Sequence, residues 1–214
     1  RVTVVQLATH RSAALLVSGA AVVTVVLWSS AFVVIRAVGE VFSPGPMAFL
    51  RLLVGAVVLT GVAAVCRKRV PRGRSLALVI GYGVMWFALY TVLLNWAEQH
   101  LDAGTAALLV NFAPVIVAVF AGLFLGEGFP RARVIGIVIA FTGVAQIAAG
   151  GTGGGENDRL GVLLGIATAV LYAAGVLLQK VALRTVDALT ATWVGCVAGL
   201  IVTTPFAPAA LEEL

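Results

Sequence analysis

Six stretches of the 214-residue chain, 12–35, 75–97, 103–126, 134–155, 160–179 and 188–211, each run for about 20 residues or more without a single Asp, Glu, Lys or Arg. A seventh, 41–66, is interrupted only by Arg51. A bilayer core about 30 Å thick needs roughly 20 mostly apolar residues in helical form to cross it, so the pattern predicts seven membrane-spanning helices. Barrel strands would be about 10 residues long with alternating polarity, whereas these runs are apolar on every face. The first run is also too long for a signal-peptide core of roughly 7–15 residues, and further spans follow it directly. With 61% hydrophobic and 11% charged residues, little chain remains for a soluble domain, and intrinsic disorder is excluded because so apolar a chain buries itself.

The loops orient the bundle, since Lys and Arg favour the cytoplasmic side. With the N-terminus inside, Arg1, Arg11, Arg67, Lys68, Arg69, Arg72, Arg74, Arg131, Arg133, Lys180 and Arg184 fall on the inner face, 11 of the 14 basic residues. Glu40, Glu98, Asp102, Glu156, Asp158, Glu212 and Glu213 fall outside, with only Arg36, Arg51 and Arg159 as cations there. This reading predicts a multi-pass protein of a bacterial plasma membrane with a cytoplasmic N-terminus. The basic cluster at 67–74 is one short loop with no basic face behind it, which argues for membrane anchoring and against nucleic acid as a partner. The expected partners are membrane lipids and a small-molecule substrate, and a homodimer is an assembly open to such a chain.

An internal repeat emerges at an offset of 144 residues. Trp28-Ser29-Ser30-Ala31-Phe32-Val33-Val34-Ile35-Arg36 lies over Tyr172-Ala173-Ala174-Gly175-Val176-Leu177-Leu178-Gln179-Lys180, an aromatic, three small residues, an apolar run and a cation; Gly55 meets Gly199 at the same offset. Five predicted helices separate the copies, and an odd number forces the second to cross in the opposite sense. Inverted repeats are a recurrent transporter device with the solute site near mid-membrane where they meet.

Several segments together resemble one family: Trp28 to Phe32 ending in Arg36, the Pro44/Pro46 entry followed by Phe49-Leu50-Arg51, the run from Ala107 through Asn111 and Pro114 to Gly126-Glu127, and Gly136 with Gly143. The chain is similar in these to the EamA repeat of the drug/metabolite transporter superfamily. The resemblance implies an all-α polytopic fold of ten helices in two inverted five-helix repeats, moving small metabolites such as amino acids or drugs out of bacterial cells without a cofactor. On that frame residues 13–149 form the first repeat, 150–159 a Gly-rich outer linker, and 160–214 the first two helices of a second repeat. Seven of ten helices are then visible, the chain reads as a fragment, and three more spans are expected beyond Leu214.

Polar residues inside the spans are costly in lipid and need a partner or a cavity. Arg51, about 7.5 Å inside the outer end if the helix begins at Pro46, has two readings: snorkelling to headgroups, or lining the outer cavity to attract an anionic group. Arg36, in the last turn of the first helix, is favoured there by the helix dipole. Pro114 cannot donate to the Val110 carbonyl, so a kink is expected beside Asn111. Trp28, Ser29, Asn95, Trp96, Asn111 and Tyr172 complete the substrate-binding candidates, with Trp28, Trp96 and Tyr172 as an aromatic wall for an apolar or amino-acid-like solute. Trp96, at a helix end, also suits the interfacial belt. Glu127 meets the negative end of a helix dipole, which Arg131 and Arg133 are placed to offset as a loop clamp, the alternative being a coupling-proton site. The pairs Gly122/Gly126, Gly161/Gly165 and Gly195/Gly199 have GxxxG spacing and predict close helix contacts.

No catalytic or metal-binding set emerges. Cys66 and Cys196 both fall near the reducing side, His10 and His100 lie on opposite faces, and the glycines at 150–155 lack a following Lys-Ser/Thr. An enzyme acting on lipids would want paired carboxylates or histidines at one depth. A scaffold or receptor subunit gives no reason for an inverted repeat, which leaves a secondary carrier as the expectation. No acidic residue falls in the central third of a span, which argues against an obligatory proton site in this half.

Overall fold

A computed structural model of the chain describes residues 4–39, 41–124, 130–150 and 159–214. Among them the secondary structure is helical throughout: α1 (Val4–Val38), α2 (Pro44–Val65), α3 (Gly73–Gly83), a π-helical segment (Val84–Leu89), α4 (Tyr90–His100), α5 (Ala103–Val110), α6 (Ala113–Phe124), α7 (Arg131–Gly150), α8 (Arg159–Ala182), α9 (Ala188–Thr203) and α10 (Ala207–Glu212). Five of the described helical stretches are long and apolar enough to cross a membrane: Ser18–Val38, Pro44–Val65, Gly73–His100, Arg159–Ala182 and Ala188–Glu212. The stretches expected to form the fourth and fifth spans contain shorter apolar helices, Gly104–Phe120 and Val134–Gly143. Gly126, Glu127 and most of the 150–159 linker lie outside the described residues.

Helix starts follow local chemistry. Ser43 is extended (φ −70°, ψ 156°) and Pro44 takes the first helical position, where a missing N–H costs nothing and a fixed φ is already helical. The second helix therefore begins at Pro44 rather than Pro46, and Arg51 sits about 10 Å along it. Asp102 and Asp187 cap α5 and α9, accepting from the backbone N of Thr105 and Thr190 at 3.0 and 3.2 Å.

The bundle has two ends that can be followed through contacts. At one, the Arg36 guanidinium donates to the carbonyls of Glu98 and Leu101, and Gly161 of α8 lies directly against His100 and Leu101. Lys180 follows along the same helix by 19 residues, about 28 Å. Arg36 and Lys180 thus stand at opposite ends, and α1 and α8 run in opposite senses. Helices α2 and α9 are also antiparallel. Lys68, just past the end of α2, pairs with the α9 cap Asp187 at 2.9 Å. Glu213, past α9 and α10, accepts from the N and Oγ of the α2 cap Ser43 at 2.9 and 2.6 Å.

Small residues set the helix spacing. A Cβ on Gly83 would stand 2.3 Å from the carbonyl oxygen of Gly195, and one on Gly199 2.6 Å from the Phe87 Cβ. One on Gly165 would stand 2.6 Å from a Leu109 methyl. The expected contacts at Gly161/Gly165 and Gly195/Gly199 are therefore formed, and Gly83 joins them from the facing helix. In lipid, such close approach and the dispersion it permits hold helices together, because burial from water contributes little. The large side chains left exposed, among them Val54, Val57 and Val58 on α2 and Ile135 and Ile139 on α7, suit acyl chains. Gly83→Ala should force two backbones apart and cost about 1–3 kcal/mol, read as a lower thermal midpoint in detergent; an unchanged midpoint would show that the helices do not touch there.

The Lys68 ammonium beside Asp187, with the Thr190 hydroxyl, holds that carboxyl down to about 2 from an ordinary 3.8. Its folded-state pKa is the lower one, so its stabilisation is complete above about 3.8 and fades as pH falls through that window toward 2. Asp187→Asn should lower the thermal midpoint at neutral pH, and the difference from the parent protein should shrink in strong acid. The site is exposed, so the effect is small.

Candidate functional site

At mid-depth the helices leave a cavity of about 480 Å³ lined by residues including Val25, Trp28, Ser29, Phe32 and Val33 of α1, Gly104, Ala107 and Val110 of α5, Asn111, Pro114 and Tyr172 of α8. Its floor is a helix discontinuity. Helix α5 stops at Val110 and α6 begins at Ala113. Between them the Phe112 N–H reaches only the Leu109 carbonyl, at 3.1 Å. Pro114, with no N–H to give Val110, accounts for the break beside Asn111 that the sequence predicts. Asn111 turns its Nδ2 back onto the Ala107 carbonyl at 2.8 Å, which leaves its Oδ1 as a polar atom at the cavity edge. Backbone interruptions at membrane depth are tolerated where they border a cavity.

The opposite wall is aromatic. Trp28 stacks on Tyr172 with centroids 6.0 Å apart and planes 22° apart. Behind Tyr172 stand Trp86 at 4.4 Å and Tyr90 at 5.8 Å, and Trp86 stacks on Tyr90 at 5.3 Å. Such pairs each contribute about 0.5–1.5 kcal/mol beyond simple burial. Trp86 and Tyr90 were not among the sequence candidates. Tyr82, Trp86 and Tyr90 recur every fourth residue, which places them along one helix face; that spacing was legible. The π turn over Val84–Leu89 helps keep them aligned, because a wider turn offsets the drift of an α-helix at that interval.

Thus five sequence candidates, Trp28, Ser29, Asn111, Pro114 and Tyr172, share the cavity lining. Arg51, Asn95 and Arg36 form a separate polar cluster toward the Leu101 end. Arg51 Nη1 donates to Asn95 Oδ1 at 3.1 Å, and Asn95 Nδ2 donates to the Pro44 carbonyl at 3.0 Å. Asn95 is 1% exposed, whereas Arg51 remains accessible along the flank of α2. Trp96, 42% exposed, lies outside the cavity lining; the aromatic wall is completed by Trp86 and Tyr90 instead. Glu127 lies outside the described residues.

One group in the cluster is more deeply buried than the sequence suggests. Glu98, counted there with the outer acids, is in the last turns of α4 and only 2% exposed. Neither of its carboxylate oxygens has a hydrogen-bond partner among the described residues, and the same holds for the Tyr90 hydroxyl. A charge at a span boundary reads as a loop residue; what buries it is the packing of other helices around the end of α4, which no local pattern displays.

Residues 15–149 match the EamA-like transporter family. Over 132 residues the chain is 40% identical to a probable terminal-alkyne amino-acid exporter of Streptantibioticus cattleyicolor, covering 62% of this chain and 44% of that protein. It is 38% identical over 124 residues to an uncharacterised transporter of Bacillus subtilis, 58% of this chain and 40% of the other. A probable amino-acid metabolite efflux pump of Escherichia coli K12 is 28% identical over 161 residues, 75% and 52%. The chain therefore spans about half the length of these relatives. No solved structure matches it.

Proposed function

The chain belongs to the EamA-like transporter family, and from that premise we propose that it supplies the first five-helix repeat and the opening helices of an inverted second repeat in a secondary carrier of small metabolites. One observation carries the reading. Trp28 and Tyr172, the same position in the two copies of the 144-residue repeat, stack on each other in the wall of the mid-depth cavity. Residues related by a two-fold axis meet their own counterparts only where they approach that axis. Other pairs at this offset agree. Cys196 Sγ lies 3.8 Å from the Leu52 carbonyl, and Ser43 and Asp187 both cap helices and are each held by chain just beyond the other's helix. A solute at such a seam would be exposed to one side and then the other as the halves rock.

The lining favours a small amphipathic solute. Trp28, Phe32 and Tyr172 offer ring faces, while Ser29 and Asn111 offer a few polar atoms for orientation. Amino-acid-like compounds fit that description, and export is the direction that the exporter and efflux relatives suggest. The test is counterflow: the full-length protein in liposomes should accelerate exchange of at least one member of a panel of amino acids and aromatic drugs. Failure across the panel would sink the carrier reading.

Orientation in a bacterial plasma membrane follows from charge, since Arg67, Lys68, Arg69, Arg72 and Arg74 lie at the end of the bundle opposite Arg36. Cys66 there is exposed and Cys196 is buried. An impermeant maleimide should leave Cys66 unlabelled in intact cells and label it after permeabilisation. Gln99→Cys, at the other end, should label in intact cells.

A further inference from the structure

We propose that Glu98 is the group that takes up and releases the proton in a proton-coupled transport cycle, an inference that rests on the carrier reading above. Its geometry is unusual for a structural carboxyl. It is 2% exposed, at the apolar end of a membrane helix, with neither oxygen hydrogen-bonded among the described residues. Buried carboxylates that serve structure are paired or multiply hydrogen-bonded, and an ionisable group left without either inside a membrane marks a pathway or relay.

Its surroundings supply two states. Facing it are the guanidinium groups of Arg51 on α2 and Arg36 on α1, with Tyr90 two turns back on its own helix. At the N-cap of α5 the Asp102 carboxylate accepts from the Thr105 N–H and hydroxyl at 3.0 and 2.6 Å, and His100 is the last residue of α4. Helix α8, packed along α4, begins with Arg159, two residues before the Gly161 that lies against His100 and Leu101, and carries no Asp, Glu, Lys, Arg or His from Leu160 to Gln179; farther along it Tyr172 stands against Tyr90. With the proton bound, the carboxyl needs no counter-ion and Arg51 keeps its bond to Asn95. When the proton leaves to water, the carboxylate needs a cation, and Arg51, whose guanidinium has donors beyond the Nη1 held by Asn95 Oδ1, can supply it. That amide is what ties α4 to the start of α2 through the Pro44 carbonyl. Loss of a proton thereby adds a charge pair between α4 and α2 at the contact that Asn95 already makes. Tyr90, whose hydroxyl is also unpartnered, lies between this cluster and the rings of the cavity wall.

The experiment uses the full-length protein in liposomes, with membrane potential clamped by potassium and valinomycin and a labelled solute that exchanges. In the wild type a pH step of about one unit should drive accumulation, approaching roughly tenfold for one proton per solute. Glu98→Gln should abolish that accumulation while solute-for-solute exchange at uniform pH persists, and Glu98→Asp should restore a gradient response. A wild type that exchanges solute yet ignores the pH step, or a Glu98→Gln protein that still accumulates it, overturns the proposal. If the wild type exchanges nothing, the carrier reading falls and the coupled cycle falls with it. Infrared difference spectra between acidic and alkaline pH then judge the proton site alone. A protonated-carboxyl band that is present in the wild type and lost in Glu98→Gln places the proton on Glu98, and its persistence in the variant removes it from there.

Discussion

Trp28→Ala should cut solute exchange by about 30-fold while leaving the protein folded and inserted. The ring is 43% exposed, and it stacks on Tyr172 across the cavity wall, so most of its removal falls on the cavity and little on the core. Truncating a central aromatic anchor typically costs about 2 kcal/mol or more of binding, which corresponds to that factor. Tyr172→Ala should lose as much, with an added stability cost because its ring also contacts Trp86 and Tyr90. Leu27, the neighbour of Trp28, is 65% exposed and not among the lining residues. Leu27→Ala should exchange solute at close to the parent rate. Equal rates for Trp28→Ala and Leu27→Ala would show that the cavity is not where solute binds.

The pairing of Trp28 with Tyr172 also shows how far a sequence of this kind can be read. An aromatic followed by three small residues, an apolar run and a cation, repeated 144 residues later, gave both side chains and their mid-span depth. The break at Asn111 was equally legible, because a proline in a helix has one local consequence. Long apolar runs are just as informative about spans, since the bilayer imposes their length. Less local features were not readable. Glu98 marks the end of a charge-free run and so reads as outer loop, yet the neighbouring helices bury it. Trp96 and Trp86 look alike in a hydropathy profile, and which of them faces Tyr172 is decided by packing: Gly175 allows Trp86 to within 3.2 Å of where a Cβ would stand. Assignment of Arg51 to headgroups or to a cavity was open for the same reason, since its partner Asn95 lies 44 residues away.

Arg51→Met should destabilise the protein more than Arg51→Met combined with Asn95→Leu. In the single variant Asn95 Oδ1, on a residue 1% exposed, loses its donor at 3.1 Å, and a buried acceptor left unpaired costs about 1–3 kcal/mol. The variant also removes a cation from beside the buried Glu98 carboxyl. Thermal midpoints for chains of this size move by about 2–4 °C per kcal/mol, so the single variant should fall several degrees in detergent. Removing both polar partners leaves no stranded amide oxygen; the residual loss is the bond from Asn95 Nδ2 to the Pro44 carbonyl, an acceptor that tolerates a missing donor better than a buried amide does. The double-mutant cycle should therefore show a coupling of about 1 kcal/mol between positions 51 and 95. Strict additivity would mean that Arg51 reaches the headgroups instead, and that the α2–α4 contact is held by packing of its apolar residues alone.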